Sequence, residues 1–340
     1  MVAFAATYDK DGNEKTKIHV FYGQQNKNLG LLFRNESGKA PIGASQFASG
    51  DDACDGNILN PSFLAVTKFN NQDFVFGVTE KRSASINQTA VDPNDCKCPP
   101  GAKPVDLSIV SPVYAVVSPS VYSDNYKITA CSDSEDNWIY YLKKKGEKLN
   151  LYEATIGNAS DNEYPTLTNP IKNSALAAWY GPVDALRHIV YQSDDNSLYE
   201  FTTNPNTQLQ AAMGAKPNTS FAVAVTDDGI FLYYINSNNM ISRVSKPLNK
   251  GAQFDNCHTV DSCTNQAGQD SQLTVTAVEK SIHIFYEAVG QSKRNVVSHF
   301  VDTPPKPSQV ITLSLLLADN DSEEKEENRM TIITVFTTIS

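Results

Sequence analysis

The sequence predicts an all-β protein: a single-domain, six-bladed β-propeller closed into a ring. Three observations carry this reading. Six segments climb through alternating residues into an aromatic doublet or its near equivalent, then break at a polar turn. The segments recur at about 40 to 65 residues, the period of a propeller blade. No helical pattern of any length appears, whereas period-two alternation between Asn-, Asp- and Gly-bearing turns runs throughout.

Each blade follows the same order: a strand of small residues, an aromatic strand, then a third strand. In the first blade, residues 1–45, these are Val2–Thr7, Ile18–Tyr22 and Gly30–Phe33. In the second, 58–95, Ser62–Val66 and a turn at Asn70 and Asn71 lead to Asp73–Gly77. The third, 120–160, reads Lys127–Ala130, Asn137–Tyr141 and Asn150–Glu153. The fourth, 170–208, reads Ala175–Trp179, Arg187–Tyr191 and Ser197–Phe201. The fifth, 218–250, reads Ser220–Val225, Ile230–Tyr234 and Met240–Val244. The sixth, 270–302, reads Leu273–Ala277, Ser281–Tyr286 and Asn295–Ser298. Small residues suit the crowded strand nearest the axis. Residues 303–340, with a strand at Met330–Phe336, are expected to close the ring, since closure removes exposed sheet edges. A seventh blade begun by Ile311–Leu317 is left open. Residues 87–119 and 251–269 read as long loop inserts.

Composition limits function. The net charge is −10, and Lys and Arg form no stripe, so neither nucleic acid nor an anionic membrane is expected as a partner. Lys143–Lys145 reads as a solvated hairpin turn. No apolar run is long enough to span a bilayer, and the one at the N-terminus is too short for a secretory signal. The loops around the cysteines favour disulfides over zinc. Cys257 with Cys263 is the easiest pair to close; Cys54, Cys96, Cys98 and Cys131 would form two more in an order left open. Disulfides imply an oxidising compartment, hence secretion or a secretory-pathway lumen. Sequons at Asn35, Asn87, Asn158, Asn218 and Asn320 are compatible with it.

One column of the repeat stands apart. Three residues before the end of each aromatic motif lies a ring: His19, Phe74, Trp138, His188, Phe231 and His283. On the second strand of a blade, such a ring reads either as packing between blades or as pocket lining. Three histidines favour the pocket, because a buried imidazole needs hydrogen-bond partners that Phe does not.

Val190-Tyr191-Gln192, followed by Asp-Asn and Leu198-Tyr199-Glu200, resembles the repeat of the fungal fucose-specific lectins. The resemblance spans nearly the whole chain as a repeat grammar. It implies a six-bladed propeller binding sugars between blades. An Arg of the second strand and a Glu or Gln of the third would bond the sugar, while an aromatic residue, often Trp, stacks on it. Here the Arg position falls on the ring column in every copy. The Glu position keeps Glu153 and Glu200 but reads Leu32, Arg243 and Ser298 elsewhere; the only tryptophans are Trp138 and Trp179. The resemblance therefore implies the fold with altered sites.

A second resemblance is to the lectin-like hetero-Diels–Alderases of fungal tropolone–sesquiterpene biosynthesis, which join a quinone methide to a humulene-type terpene without a redox cofactor. On that reading the chain is a cofactor-free pericyclase. Holding two reactants in register can supply roughly 7–11 kcal/mol. His188, His283 and His19 would donate hydrogen bonds, while Trp138, Phe231, Phe74, Trp179 and Glu200 line the pocket. The alternative is a fucose-type lectin with altered sites. Both expect a small-molecule ligand, no cofactor and no metal; a homodimer is left open. No G-x-S-x-G elbow, H-E-x-x-H, phosphate loop or dinucleotide fingerprint is present. The inner strands carry almost no carboxylates, which argues against a propeller glycosidase.

Overall fold

The computed structural model describes residues 3–12, 17–24, 27–36, 42–46, 57–59, 62–80, 105–119, 126–158, 160–202, 206–290 and 297–307. Within them the chain forms six antiparallel meanders. The first holds β1 (Phe4–Tyr8), β2 (Ile18–Gly23), β3 (Leu29–Arg34) and β4 (Ile42–Gln46). The second holds β5 (Leu64–Phe69), β6 (Gln72–Glu80), β7 (Val105–Ser111) and β8 (Ala115–Ser118). β9 (Ile128–Ser132), β10 (Asn137–Lys145), β11 (Lys148–Ala154) and β12 (Asn162–Tyr164) make the third. The fourth is β13 (Leu176–Tyr180), β14 (Arg187–Gln192), β15 (Leu198–Thr202) and β16 (Asn206–Gln208). The fifth is β17 (Phe221–Val225), β18 (Ile230–Ile235), β19 (Ile241–Lys246) and β20 (Asp255–Thr259). The sixth has three strands, β21 (Thr274–Val278), β22 (Ser281–Tyr286) and β23 (Ser298–Asp302). This is the expected six-bladed all-β propeller.

The first strands of the blades stand side by side around the axis, and β1 lies against β21, so the ring closes between the first and sixth blades. Small side chains such as Ala5, Thr129, Ala177 and Ala222 leave an axial channel of only about 100 Å³. At one end of it the buried Gln272 ties three blades together. Its Oε1 accepts from the backbone N–H of Phe4 at 2.8 Å, and its Nε2 donates to the carbonyl of Leu64 at 3.0 Å.

Period-two alternation distributes the core. On β18, Leu232 and Tyr234 enter the cluster shared with the fourth blade, while Phe231 and Tyr233 enter the cluster shared with the sixth. On β14, Tyr191 faces the third blade and Val190 the fifth. The hydrophobic core is therefore a set of slabs between neighbouring blades, and each aromatic strand feeds two of them. Turn chemistry fixes the registers. Asn70 and Asn71 both have positive φ, 50° and 59°, the two-residue hairpin turn that matches strand twist.

Several expectations change. Residues 105–118, expected inside a loop insert, supply β7 and β8, and β20 lies inside the second expected insert. Five blades gain a fourth strand that weak amphipathic patterning hides. Met330–Phe336 and Ile311–Leu317 lie outside the described residues. The disulfide expectation fails for Cys257 and Cys263, which are separate thiols, as is Cys131. Cys257 meets the Tyr234 hydroxyl at 3.0 Å on the side facing the fourth blade, whereas Cys263 is buried in the slab shared with the sixth. The two sulfurs thus point to opposite sides of one blade. Cys54, Cys96, Cys98, Asn87 and Asn320 lie outside the described residues. Asn158 and Asn218 are exposed and Asn35 is half-buried. No helix among the described residues is long and apolar enough to cross a membrane.

Candidate functional site

The ring column begins each second strand, and its members pair with the far ends of the inner strands: Thr7 with His19, Trp179 with His188, Thr276 with His283. Alternation turns each ring toward the following blade. The residue one place earlier on that neighbour's second strand faces back. At three interfaces a ring of one blade thus stands beside Asp73, Arg187 or Ile230 of the next.

The register also corrects the third-strand column. Phe21 is opposite Leu31 and Phe285 opposite His299, so these, and not Leu32 and Ser298, share the level of Glu153, Glu200 and Arg243. This column meets the next blade through charge. Glu200 receives Lys246 at 2.6 Å, Arg243 pairs with Asp302, and Glu153 receives Arg187 at 2.9 Å.

The interface between the fourth and fifth blades holds the most developed site. His188 Nδ1 lies 2.7 Å from Glu200 Oε1, and its Nε2 lies 3.1 Å from Asp184 Oδ2, so the imidazole is held between two carboxylates. The Trp179 indole stacks on it at 4.7 Å between centroids and 8° between planes. Lys246 Nζ sits over Trp179 and Phe254 while it donates to Glu200. Both bonds to Glu200 end on Oε1; among the described residues none ends on Oε2. Burial raises the pKa of the Glu200 carboxyl, but the His188 hydrogen bond and the Lys246 ammonium outweigh it, and the net shift is downward. Asp184 is lowered in the same way: burial opposes, and His188 with the Leu186 N–H prevail. Gly181 leaves room for this contact: a Cβ there would lie 2.0 Å from Asp184 Oδ1 and 2.9 Å from His188 Nε2, so the Asp184 carboxylate would have to move. A cleft of about 240 Å³ opens over this network, with Pro182, Val183 and Leu248 as its apolar walls.

The other column members sit differently. His19 Nδ1 is 2.8 Å from Asp73 Oδ2 of the second blade, with Phe33 edge-on at 5.4 Å. Trp138 stacks on Tyr180 at 5.7 Å, and the Arg187 guanidinium lies 5.1 Å above its ring. Arg187, Glu153 and Trp138 thus come together between the third and fourth blades. Glu153 there also accepts from Tyr140, Tyr164 and Asn162, so its oxygens are occupied. Phe231 and His283 are buried, and Phe74 packs half-buried against the slab shared with the third blade. His283 Nδ1 meets His299 Nε2 at 2.8 Å. Asp184, Lys246 and Arg187 were missed by pattern reading: Asp184 lies in the loop before β14, Arg187 is one residue off the ring column, and Lys246 comes from the neighbouring blade, so only the fold brings them in.

No protein-family model matches the chain, and no curated protein matches it. Solved structures do. A fungal lectin of Aleuria aurantia, described as a six-bladed β-propeller with a novel fucose recognition mode, aligns with a TM-score of 0.58 and 13% identity, over 85% of this chain and 88% of that one. AofleA from Arthrobotrys oligospora aligns at 0.56 and 12%, over 88% and 82%. SapL1 lectin, solved with alpha methyl fucoside, aligns at 0.52 and 10%, over 84% and 88%. At these identities the likeness is one of fold.

Proposed function

We propose that the chain is a lectin-like binding protein whose cleft between the fourth and fifth blades takes a single sugar-sized, polyhydroxylated ligand. The observation that carries this is the buried Glu200–His188–Asp184 network at the floor of an open cleft at a blade interface. A sugar needs converging acceptors and donors plus an apolar face, and the carboxylates, the imidazole, the Lys246 ammonium and the Pro182–Val183 wall supply them. Among the fold neighbours, Aleuria aurantia lectin has been solved with alpha-methyl-L-fucoside. His188 stands where the lectin pattern has Arg, so the ligand preference is expected to differ from fucose.

At this cleft, size favours the sugar reading over the pericyclase one. Two reactants held together, one of them a terpene, need a pocket within the usual small-molecule range of roughly 300–1,000 Å³. The cleft, at about 240 Å³, falls below it. The test is a glycan array followed by calorimetry with the best monosaccharide. The expected result is saturable binding that weakens at least about tenfold in Glu200→Gln and Asp184→Asn, about 1.4 kcal/mol. Asp184 is half-buried, so its variant keeps the fold if Glu200→Gln does not. A silent array, together with thermal stabilisation by apolar polyketide or terpenoid ligands, would replace this reading with the hetero-Diels–Alderase.

A further inference from the structure

The hydrogen bonds of His188 fix how many protons its ring must hold. An ionised carboxylate only accepts, and a neutral imidazole has a single N–H, so it serves one carboxylate and turns a lone pair on the other. Here Nδ1 lies 2.7 Å from Glu200 Oε1, while Nε2 lies 3.1 Å from Asp184 Oδ2 and 3.2 Å from its Oδ1. Both contacts are satisfied only when both ring nitrogens carry a proton. The carboxylates themselves stay ionised: burial raises the pKa of each, but the His188 hydrogen bond leads the effects that bring the net shift below the ordinary value.

Charge balance favours the same state. Asp184 from the turn before β14, Glu200 from β15 and Lys246 from β19 surround the ring, with the uncharged Trp179 and Ile230 beside it. Arg187 turns instead to Glu153, and Lys250 stands at the exposed rim. An imidazolium makes this network neutral, whereas a neutral ring leaves one buried negative charge uncompensated. Asp184 also holds the cleft wall. Between Pro182 and Leu186 every other residue is exposed, and Ala185 has a φ of 55°, a left-handed conformation unusual for a residue with a Cβ. The Gly181 N–H bonds the Leu186 carbonyl and the Ala185 N–H the Gly181 carbonyl, which closes the turn on itself. Asp184 is the side chain that ties it inward, and the same turn supplies Pro182, Val183 and Leu186 to the wall.

We propose, resting on the reading of this cleft as the ligand site, that His188 is a proton latch: the doubly protonated ring clamps the Asp184 turn and shapes the cleft wall, and loss of one proton releases the turn and weakens ligand binding. Glu200 keeps the remaining N–H, because it is buried and Lys246 anchors it at 2.6 Å. Asp184, half-buried at the cleft, is the partner given up, since water can replace the ring there. The proton itself leaves to solvent. The cleft is therefore shaped for ligand while the ring holds both protons, and it opens as pH rises through the loss of one. His188 acts here as a positioning residue.

The experiment is nitrogen-15 NMR of the full chain labelled at histidine, with the His188 signals identified by their loss in His188→Phe, which keeps a ring against Trp179. At pH 7 the parent ring should show two protonated nitrogens. In Asp184→Asn, whose amide donates to Nε2, it should show one protonated and one bare nitrogen at the same pH. Hydrogen exchange at the Ala185 amide, corrected for the intrinsic rate, should be at least about tenfold faster in His188→Phe. In the parent it should rise with pH in step with the ring signal. Asp184→Asn carries the test if His188→Phe fails to fold. The proposal is overturned if the parent ring carries one proton at pH 7, if Asp184→Asn leaves it doubly protonated, or if exchange at Ala185 ignores the ring. These readings need no ligand, so they decide the latch whatever a glycan array shows, and a silent array tells against the sugar reading alone. Where a monosaccharide binds, affinity that stays constant while the ring loses its proton also overturns the proposal.

Discussion

At the residue scale, burial decides what each ring of the column does. His283 and His299 sit in the interface between the sixth and first blades, and burial brings their pKa values to about 4 and about 3. For His299 the neighbouring His283 and Arg34 add to the effect; for His283, Glu36 opposes it. In the unfolded chain both titrate near pH 6.5. Between that pH and about 4 the unfolded state binds more protons, so stability falls as pH falls. Each imidazole contributes up to about 1.4 kcal/mol per pH unit in that window. Denaturant midpoints measured from pH 7 to pH 4 should therefore drop, and His299→Leu should flatten the slope. Parallel curves for the two proteins would show that these imidazoles are not the cause. The column itself was legible in the sequence. That His188 would lie between Asp184 and Glu200 was not, because Asp184 sits in a loop that only folding brings under the ring.

At the element scale, the chain turns after β20, and this governs the cysteines of the fifth blade. Cys257 and Cys263 are six positions apart, close enough in sequence to suggest a staple. The strand β20 and the turn after it point them apart. Cys257 is exposed, whereas Cys263 is buried and its thiol is pushed up to about 12, which suppresses the reactive thiolate. Alkylation of the native protein followed by peptide mapping should label Cys257 and spare Cys263 and Cys131 until the chain is unfolded. Recovery of a peptide cross-linked between Cys257 and Cys263 would refute this arrangement. The aromatic strands were readable because their alternation is strong. The outer strands β4, β8, β12, β16 and β20 were not, because they are only three to five residues long and their polar and apolar residues do not alternate cleanly.

At the scale of the whole molecule, stability depends on closing the ring. The first and sixth blades meet through β1 and β21, and Gln272 carries the contact on to the second blade through Phe4 and Leu64. Truncating it strands buried backbone groups of two other blades. Gln272→Ala is expected to lower the unfolding free energy by about 2 kcal/mol, read from equilibrium denaturation. Gln272→Glu should fare no better, since it loses the amide donor to Leu64. A variant as stable as the parent would mean that the strand contacts alone close the ring.

The repeat can be read from the residues alone. Its aromatic strands, small inner strands and turn residues are local signals, each readable within about ten residues, and together they fix a six-bladed propeller. Even the altered ring column was visible as a departure within that repeat. Which residues meet across blades follows from the folded ring. Arg187 with Glu153 and Trp138, and Lys246 with Glu200, are joined by strand register and ring closure. The physical reason is that every such contact spans two blades. A one-residue shift in pairing turns a side chain to the other slab, and the sequence of a single blade cannot specify what its neighbour presents.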